Sequence, residues 1–266
     1  MAIAEKELNK DLVQNFIRII ENDKRRAVPV IKYIRPGFLM SLAKRFGENK
    51  GKINFIGITG ESASGKSTFV RTIIKKIQEI EARENKNLLN FISTDNYFKD
   101  ISAKIKEHGS FNNFLTNENY DPDAPENFNL DLMRKNFQVL AQNNDVYIPE
   151  YKVDGTGVSV ENAILVKKAP IILTEGIAVF YPAVRDLFDI RFYVEVEEDL
   201  RLERYIKRAI SSRNQTEEDA IKQFETIKHS AALYLRPQRK YADVIINGHA
   251  SIEDFTQMAE AFGKCF

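Results

Sequence analysis

One nine-residue segment constrains this chain more than any other, and it reads Gly60-Glu61-Ser62-Ala63-Ser64-Gly65-Lys66-Ser67-Thr68. It matches the phosphate-binding pattern GxxxxGK[ST]. A β-branched run over residues 53–59 precedes it and a helical pattern follows it, which is the context that the pattern requires. Glycines at positions 60 and 65 permit the close approaches with which successive backbone N–H groups surround phosphate oxygens. The sequence therefore predicts a strand, a phosphate-binding loop (P-loop, residues 60–68) and a helix.

The polar residues of the P-loop have expected roles in nucleotide binding. Lys66 is expected to contact the β- and γ-phosphates, and the Ser67 hydroxyl to bind the magnesium that accompanies the nucleotide. Thr68 is expected to make a secondary phosphate contact, and the helix adds its positive N-terminal end. The alternative is a glycine-rich turn that binds nothing, and the agreement of motif with context argues against it.

Composition narrows the class of protein. The 39 Lys and Arg residues nearly balance the 38 Asp and Glu residues, so no overall field favours nucleic acid or an anionic membrane. The one cysteine, Cys265, excludes an intrachain disulfide and fits a reducing compartment. No run reaches the roughly 18 apolar residues of a membrane span, and the N-terminus does not resemble a signal peptide. We therefore expect a cytoplasmic protein.

Residues 1–50 are predicted to form an N-terminal helical extension before the main domain of residues 51–266. Apolar residues at helical spacing predict a helix over about residues 5–22, which offers a contact surface for the body or for a homo-oligomer. The basic run at 24–26 is interpreted as a solvated connector, although it has the charge to contact an anionic ligand. A second short helix is predicted through Phe38, Leu42 and Phe46.

Five short apolar runs separated by helical segments predict an α/β fold with a five-stranded parallel sheet flanked by helices. The runs cover residues 53–59, 88–93, 169–174, 189–196 and 242–247. Residues 99–127 are interpreted as polar and irregular. Residues 145–167 are predicted to form a β-hairpin outside the main sheet, with Asp154-Gly155-Thr156-Gly157 at its turn.

Two acidic residues are expected at the edge of the sheet that carries the P-loop. Asp95 follows the second predicted strand and Glu175 follows the third, and ligands bind at the carboxyl ends of parallel strands. Asp95 is a candidate base for a substrate hydroxyl or a magnesium ligand through water, with a helix N-cap as the alternative. Glu175 is expected to bind magnesium, directly or through water.

The densest positive charge lies on a predicted helix between the last two strands. Arg201, Arg204 and Arg208 share one helical face, and Arg213 follows near a turn. Arg201 and Arg204 are interpreted as a solvated face with internal ion pairs. Arg208 and Arg213 are expected to belong to a helical lid, over about residues 204–224, that closes on a triphosphate and neutralises its charge.

Taken in order, the motifs resemble the uridine kinase and phosphoribulokinase family of P-loop kinases, and uridine kinases most closely. The resemblance covers residues 53 to about 262. It rests on the P-loop and on Ser93 to Phe98, Tyr120 to Ala124, Ile148 to Tyr151, Leu173 to Ile177, Val184 to Phe188, Arg204 to Arg213 and Lys240 to Ile246.

The resemblance implies ATP and Mg²⁺ as co-substrates and transfer of the γ-phosphoryl group to a hydroxyl of a small molecule. By matching position, Asp95 is similar to the family's base, Glu175 to its magnesium-associated acid, and Arg208 and Arg213 to lid arginines. Residues on the substrate side match at Phe98, Asp121, Tyr151 and Gln223. The segment Asp243 to Gly248 resembles the stretch beside the adenine.

The departures from the family pattern lie on the acceptor side. After Tyr151, nucleoside kinases of the family typically have an Asp, an aromatic residue and then a His that reads the pyrimidine, whereas this chain has Lys152-Val153-Asp154-Gly155-Thr156. Their lid also has basic residues where Tyr205 and Gln215 stand here. An unpaired polar partner costs about 1 to 3 kcal/mol, so such changes alter specificity. A uridine or cytidine acceptor is favoured; a sugar phosphate, pantothenate or glycerate acceptor, or a regulatory nucleotide-binding protein without turnover, stays open.

Overall fold

The computed structural model describes residues 14, 17–26, 28–48, 53–152, 154–213 and 215–263. Its strands, in chain order, are β1 (Ile31–Ile34), β2 (Asn54–Gly60), β3 (Leu89–Ser93), β4 (Val146–Tyr151), β5 (Ser159–Val166), β6 (Ile171–Glu175), β7 (Ile190–Glu195) and β8 (Val244–Asn247). Within these residues, six strands form one sheet in the order β1-β8-β7-β2-β6-β3, and β4 and β5 form a separate antiparallel hairpin. The predicted five parallel strands and the outlying hairpin are thus observed.

Helices cover both faces of the sheet. Residues 17–23 form a helical stretch, α1, and the longer helices are α2 (Phe38–Glu48), α3 (Lys66–Glu84), α4 (Ser102–His108), α5 (Phe111–Asn117), α6 (Leu130–Ala141), α7 (Glu198–Arg213), α8 (Glu217–Tyr234) and α9 (Ile252–Gly263). The helix predicted over residues 5–22 lies mostly outside the described residues, as does Cys265. None of the helices in the described ranges has the length and apolar character needed to cross a bilayer.

The strand that leads to the P-loop is buried on both sides. Ile56 and Ile58 pack on the face covered by α3 and α9, where they join Phe69 and Phe255, and Phe55 packs on the opposite face with Phe137. A strand buried on both faces reads as a continuous apolar run, which is why its position could be predicted from the sequence. The sheet therefore holds the P-loop on an interior strand, between β7 and β6.

Two features differ from the prediction. A sixth strand, β1, pairs antiparallel with β8 at the edge of the sheet, within a stretch that had been interpreted as part of a helical extension. Residues 99–127 are also not irregular throughout, because they contain α4 and α5, which pack around Ile101, Ile105 and Phe114. Each of these elements is four to seven residues long, too short for periodicity to reveal it.

Candidate active site

The P-loop joins β2 to α3 through a turn that requires its two glycines. A Cβ atom at Gly60 would lie 2.3 Å from the Val194 carbonyl oxygen, so only glycine fits there. Gly65 is the N-cap of α3 and has a left-handed backbone with φ of 96°. Lys66, Ser67 and Thr68 therefore begin the helix. The Thr68 N–H donates to the Gly65 carbonyl at 3.1 Å, whereas the Lys66 and Ser67 N–H groups bond to no acceptor among the described residues and are available to an anion.

Lys66 forms an ion pair with Glu175, the last residue of β6. β6 lies between β2 and β3, so its carboxyl end is next to the P-loop on one side and next to Ser93 on the other. A Cβ atom at the following residue, Gly176, would lie 1.8 Å from the Thr94 hydroxyl oxygen. This close packing brings the segment after β3 against the segment after β6.

Asp95 lies in the short 3₁₀ turn that follows β3. The Ser93 hydroxyl accepts the Asp95 N–H at 3.2 Å, so Ser93 and not Asp95 caps this turn. No donor in the described part of the chain bonds to the Asp95 carboxyl group, and the residue is exposed at the carboxyl end of β3. The surrounding protein desolvates this carboxyl and raises its pKa; nearby Lys66 opposes the rise, and Glu175 adds to it. Asp95 is therefore placed to accept a hydrogen bond from a ligand.

Aromatic residues form one wall of the cleft beside Asp95. The Phe98 ring lies 5.1 Å from that of Tyr151, at the end of β4, and 4.2 Å from that of Phe128. The structure thus brings together two of the residues that the sequence placed on the substrate side. Their rings can enclose the apolar face of a small acceptor.

The acidic loop before α6 contains a group that sequence reasoning missed. Both carboxylate oxygens of Asp121 accept hydrogen bonds from within the protein. One accepts the Asp123 N–H at 3.0 Å and the other accepts the Ser230 hydroxyl at 2.9 Å. Burial raises the pKa of Asp123 to about 7. The negative charges of Asp121 and Asp95 add to the rise, and the positive charge of Lys66 opposes it. Asp123 therefore lies within electrostatic reach of the cleft, and the Pro- and Asp-rich composition of the loop was the only signal for it.

The predicted lid consists of α7 and α8, which have a small apolar cluster of their own around Tyr205 and Phe224. The Gln223 side-chain oxygen accepts the Tyr205 hydroxyl at 2.8 Å and the Gln215 amide at 3.2 Å, so Gln223 joins the two helices. Arg208 donates to the Ser62 hydroxyl at 3.0 Å, directly over the P-loop. Arg213 is the last residue of α7, and its side chain is outside the described part.

The interpretation of Arg201 and Arg204 as a solvated face is wrong. Arg201 is only 2% exposed, donates to the Ser62 carbonyl at 3.0 Å and forms an ion pair with Glu61. Arg204 donates to the Gly248 carbonyl at 2.9 Å. Spacing alone showed that these arginines share a face of α7 but not that this face packs on the P-loop.

A cavity of about 580 Å³ opens beside the P-loop. Its far side is made by residues 248–252 and Phe255, which we call the base-side wall, and its near side by the P-loop with Arg71, Arg204 and Arg208. The P-loop at one end of the cavity suits the phosphates of a nucleotide, and the base-side wall with Phe255 at the other end suits its base.

The oxygen donors near Lys66 fit a magnesium ion that arrives with a nucleotide. Glu175, Asp95 and the Ser67 hydroxyl are hard ligands, and the described residues contain no group of three or more His, Cys, Asp or Glu side chains that could hold a metal alone. Mg²⁺ is usually bound by one or two protein oxygens together with waters and substrate phosphates.

Comparisons with known proteins agree with this geometry. The family model described as the phosphoribulokinase / uridine kinase family matches residues 55–252. The chain is 33% identical over 198 residues to a uridine kinase of Clostridium botulinum (strain Kyoto / Type A2), covering 73% of this chain and 88% of that protein. It is 32% identical over 204 residues to uridine-cytidine kinase A of Dictyostelium discoideum, covering 75% of this chain and 37% of that one. The fold is similar to that of D-glycerate 3-kinase from Cryptococcus neoformans, with a TM-score of 0.50 and 13% identity over 76% of this chain and 86% of that one.

Proposed function

The chain belongs to the phosphoribulokinase / uridine kinase family, and we propose that it transfers the γ-phosphoryl group of ATP to the 5′-hydroxyl of uridine or cytidine. The observation that carries this proposal is that three groups lie together at adjacent strand ends: the P-loop Lys66, its partner Glu175, and the Asp95 carboxyl, to which no donor of the described residues bonds. Nucleoside acceptors are supported by relatives named uridine kinase and uridine-cytidine kinase. We propose the cytoplasm as its compartment.

In the donor half, the P-loop residues Gly60 to Thr68 bind the phosphates. Lys66, Arg208 and Arg213 neutralise charge on the transferring phosphoryl group, and the glycine turn supplies N–H groups to its oxygens. Ser67 and Glu175, with Asp95 through water, would hold Mg²⁺, which would offset the negative charge that develops on the phosphate oxygens. The family uses ATP, and the cavity beside the P-loop is the place we propose for it.

In the acceptor half, Asp95 accepts the proton of the acceptor hydroxyl. The hydroxyl oxygen then forms a bond to the γ-phosphorus as the bond from that phosphorus to the β,γ-bridging oxygen breaks, and ADP carries away the electron pair. Phe98 and Tyr151 enclose the acceptor, and we assign Asp121 and Gln223 to the substrate side as well. Phosphoryl transfer depends mostly on positioning and charge stabilisation, so these contacts determine which hydroxyl reacts.

An acceptor panel tests this proposal. ADP release from ATP and Mg²⁺ is measured with uridine, cytidine, a sugar phosphate, pantothenate and glycerate, each added separately. We expect uridine or cytidine to give a kcat/KM at least about tenfold above the others, as hydrogen-bonded specificity provides. Preference for a non-nucleoside would contradict the nucleoside assignment, and ATP binding without any acceptor-dependent release would favour a regulatory nucleotide-binding protein.

A further inference from the structure

We propose that an N-terminal strap, residues 23–26 and 28–34, positions the base-side wall of the nucleotide cavity, with Arg26 and Asn247 as the positioning residues. The strap precedes the family-matched residues 55–252 and lies outside them. The inference rests on the nucleotide site proposed above and concerns how firmly that site holds the base.

The strap is fixed to itself and to the sheet. Asp23 is 4% exposed, and its two carboxylate oxygens accept the Val30 N–H at 2.9 Å and the Ile31 N–H at 2.8 Å. From Ile31 to Ile34 the strap continues as β1, which is hydrogen-bonded to β8. It therefore adds to the strand that leads directly into the base-side wall.

Asn247, the last residue of β8, connects the strap to that wall. Its backbone N–H donates to the Val30 carbonyl at 2.7 Å, and its side-chain amide donates to the Pro29 carbonyl at 3.1 Å. Its side-chain oxygen accepts the His249 N–H at 3.0 Å. One side chain thus holds the strap with its amide group and the first turn of the wall with its oxygen.

The turn that Asn247 holds packs on the P-loop itself. Gly248 donates to the Glu195 carbonyl at 2.8 Å, and a Cβ atom at Gly248 would lie 1.7 Å from the Ser64 carbonyl oxygen. No side chain fits between the wall and the P-loop here. A displacement of this turn is therefore transmitted to the nucleotide cavity.

Arg26 makes the second attachment, at the start of α9. It donates to the Asp254 carboxylate at 2.6 Å and to the Gln257 side-chain oxygen at 2.8 Å. Asp254 in turn accepts the Ser251 N–H at 3.1 Å and so fixes the N-terminus of α9. Phe255, the next residue, lines the cavity, and its ring lies 5.2 Å from that of Phe69 in α3.

The Arg26 attachment acts on the start of α9, in the part of the cavity that faces a base, whereas the Asn247 attachment also reaches the P-loop through Gly248. Loosening the Arg26 attachment is therefore expected to weaken contacts to the base while leaving contacts to the phosphates intact. A ligand with a base and a ligand with phosphates alone distinguish this effect from general damage.

Arg26→Ala, with the exposed neighbour Arg25→Ala as matched control, tests the inference in the full chain. The dissociation constants of ADP and of inorganic tripolyphosphate are measured by calorimetry. Arg26→Ala should weaken ADP binding about 3- to 10-fold, because the start of α9 loses its attachment to the strap, and leave tripolyphosphate binding within about twofold. Arg26→Lys should recover part of the loss, Gln257→Ala should give a smaller change in the same direction, and Arg25→Ala should give none.

The inference is overturned if Arg26→Ala binds ADP like the wild type, or if ADP and tripolyphosphate weaken equally. Lys66→Ala separates this failure from a failure of the proposed function. If Lys66→Ala loses ADP while Arg26→Ala keeps it, only the role of the strap is wrong. If Lys66→Ala binds ADP like the wild type, the proposed nucleotide site is wrong, and the inference with it.

Discussion

Lys66 is the residue on which nucleotide binding and transfer both depend in this account. Its ammonium group is held by Glu175 at the end of the neighbouring strand, next to the P-loop turn. Lys66→Ala removes a point charge from the phosphate site, and a charged hydrogen bond is worth about 1.5 to 3 kcal/mol. We expect ATP to bind about 10- to 100-fold more weakly, with turnover falling at least as far.

Lys76→Ala is the matched control for that change. Lys76 lies on the same helix but beyond its first turn, outside the P-loop. It forms ion pairs with Glu79 and Glu260, each at 2.9 Å. Its substitution should leave ATP affinity and kcat within about twofold, as for most surface changes. Equal losses in the two variants would show that the Lys66 effect is not specific to the phosphate site.

Asp123 predicts a pH dependence of stability. Its pKa is about 7 in the folded protein against an ordinary 3.8, because burial and the charges of Asp121 and Asp95 oppose ionisation more than Lys66 favours it. The unfolded chain therefore releases this proton at lower pH than the folded protein. The raised pKa of Asp123 therefore stabilises the folded protein. This stabilisation is complete below about pH 4 and is lost as pH rises to about 7.

Asp123→Asn has no carboxyl group to ionise, so it does not lose stability in this way as pH rises. Its melting temperature minus that of the wild type should therefore increase from pH 4.5 to pH 7.5. Thermal unfolding at pH 4.5, 6 and 7.5 measures the difference, with the exposed Glu107→Gln as control. A difference that stays constant with pH would mean that the Asp123 carboxyl ionises as it does in water.

At the scale of elements, the hairpin β4–β5 provides one wall of the proposed acceptor site. Tyr151 ends β4 against Phe98, whereas Tyr147 on the same strand is 55% exposed. Tyr151→Ala should raise KM for the acceptor about 5- to 10-fold, since an aromatic pair contributes about 0.5 to 1.5 kcal/mol, and leave KM for ATP unchanged. Tyr147→Ala should change neither KM value. A rise in the KM for ATP with Tyr151→Ala would contradict the assignment of the hairpin to the acceptor side.

The elements that could be predicted from the sequence are those whose pattern is set by burial. β2 and β6 are continuous apolar runs, and α6 repeats its apolar residues at helical spacing, so their positions follow from local sequence. β1 could not be found in this way, because its four residues form a strand only by pairing with β8. The role of Arg201 was missed for a related reason: spacing defines a helical face but not the surface that the face contacts.

At the scale of the whole molecule, the lid helices are joined to the donor loop. Glu61 of the P-loop binds Arg201 at the base of α7 and Arg236 beyond the end of α8, and Arg236 also contacts Glu198 at 3.2 Å. Arg208 reaches Ser62 from the same helix as Arg201. The predicted lid and the P-loop thus form one connected unit.

This arrangement explains which half of the site the sequence revealed. The donor half is contained in one contiguous motif and in acids that follow parallel strands, so local pattern and sheet topology suffice to propose it. The proposed acceptor half is assembled from β4, the loop around Asp121 and α8, which are distant in sequence. The hydrogen bond from Ser230 to Asp121 and the burial of Asp123 follow only from the tertiary packing.

The kinase assignment is tested most directly by Asp95→Asn with uridine as acceptor. The variant keeps the size of the side chain and removes its capacity to take the hydroxyl proton. We predict that kcat for uridine-dependent ADP release falls by about 10²- to 10⁴-fold while the dissociation constant of ATP stays within about twofold. Turnover at the wild-type rate would contradict the account, because the acceptor hydroxyl would then lose its proton without Asp95.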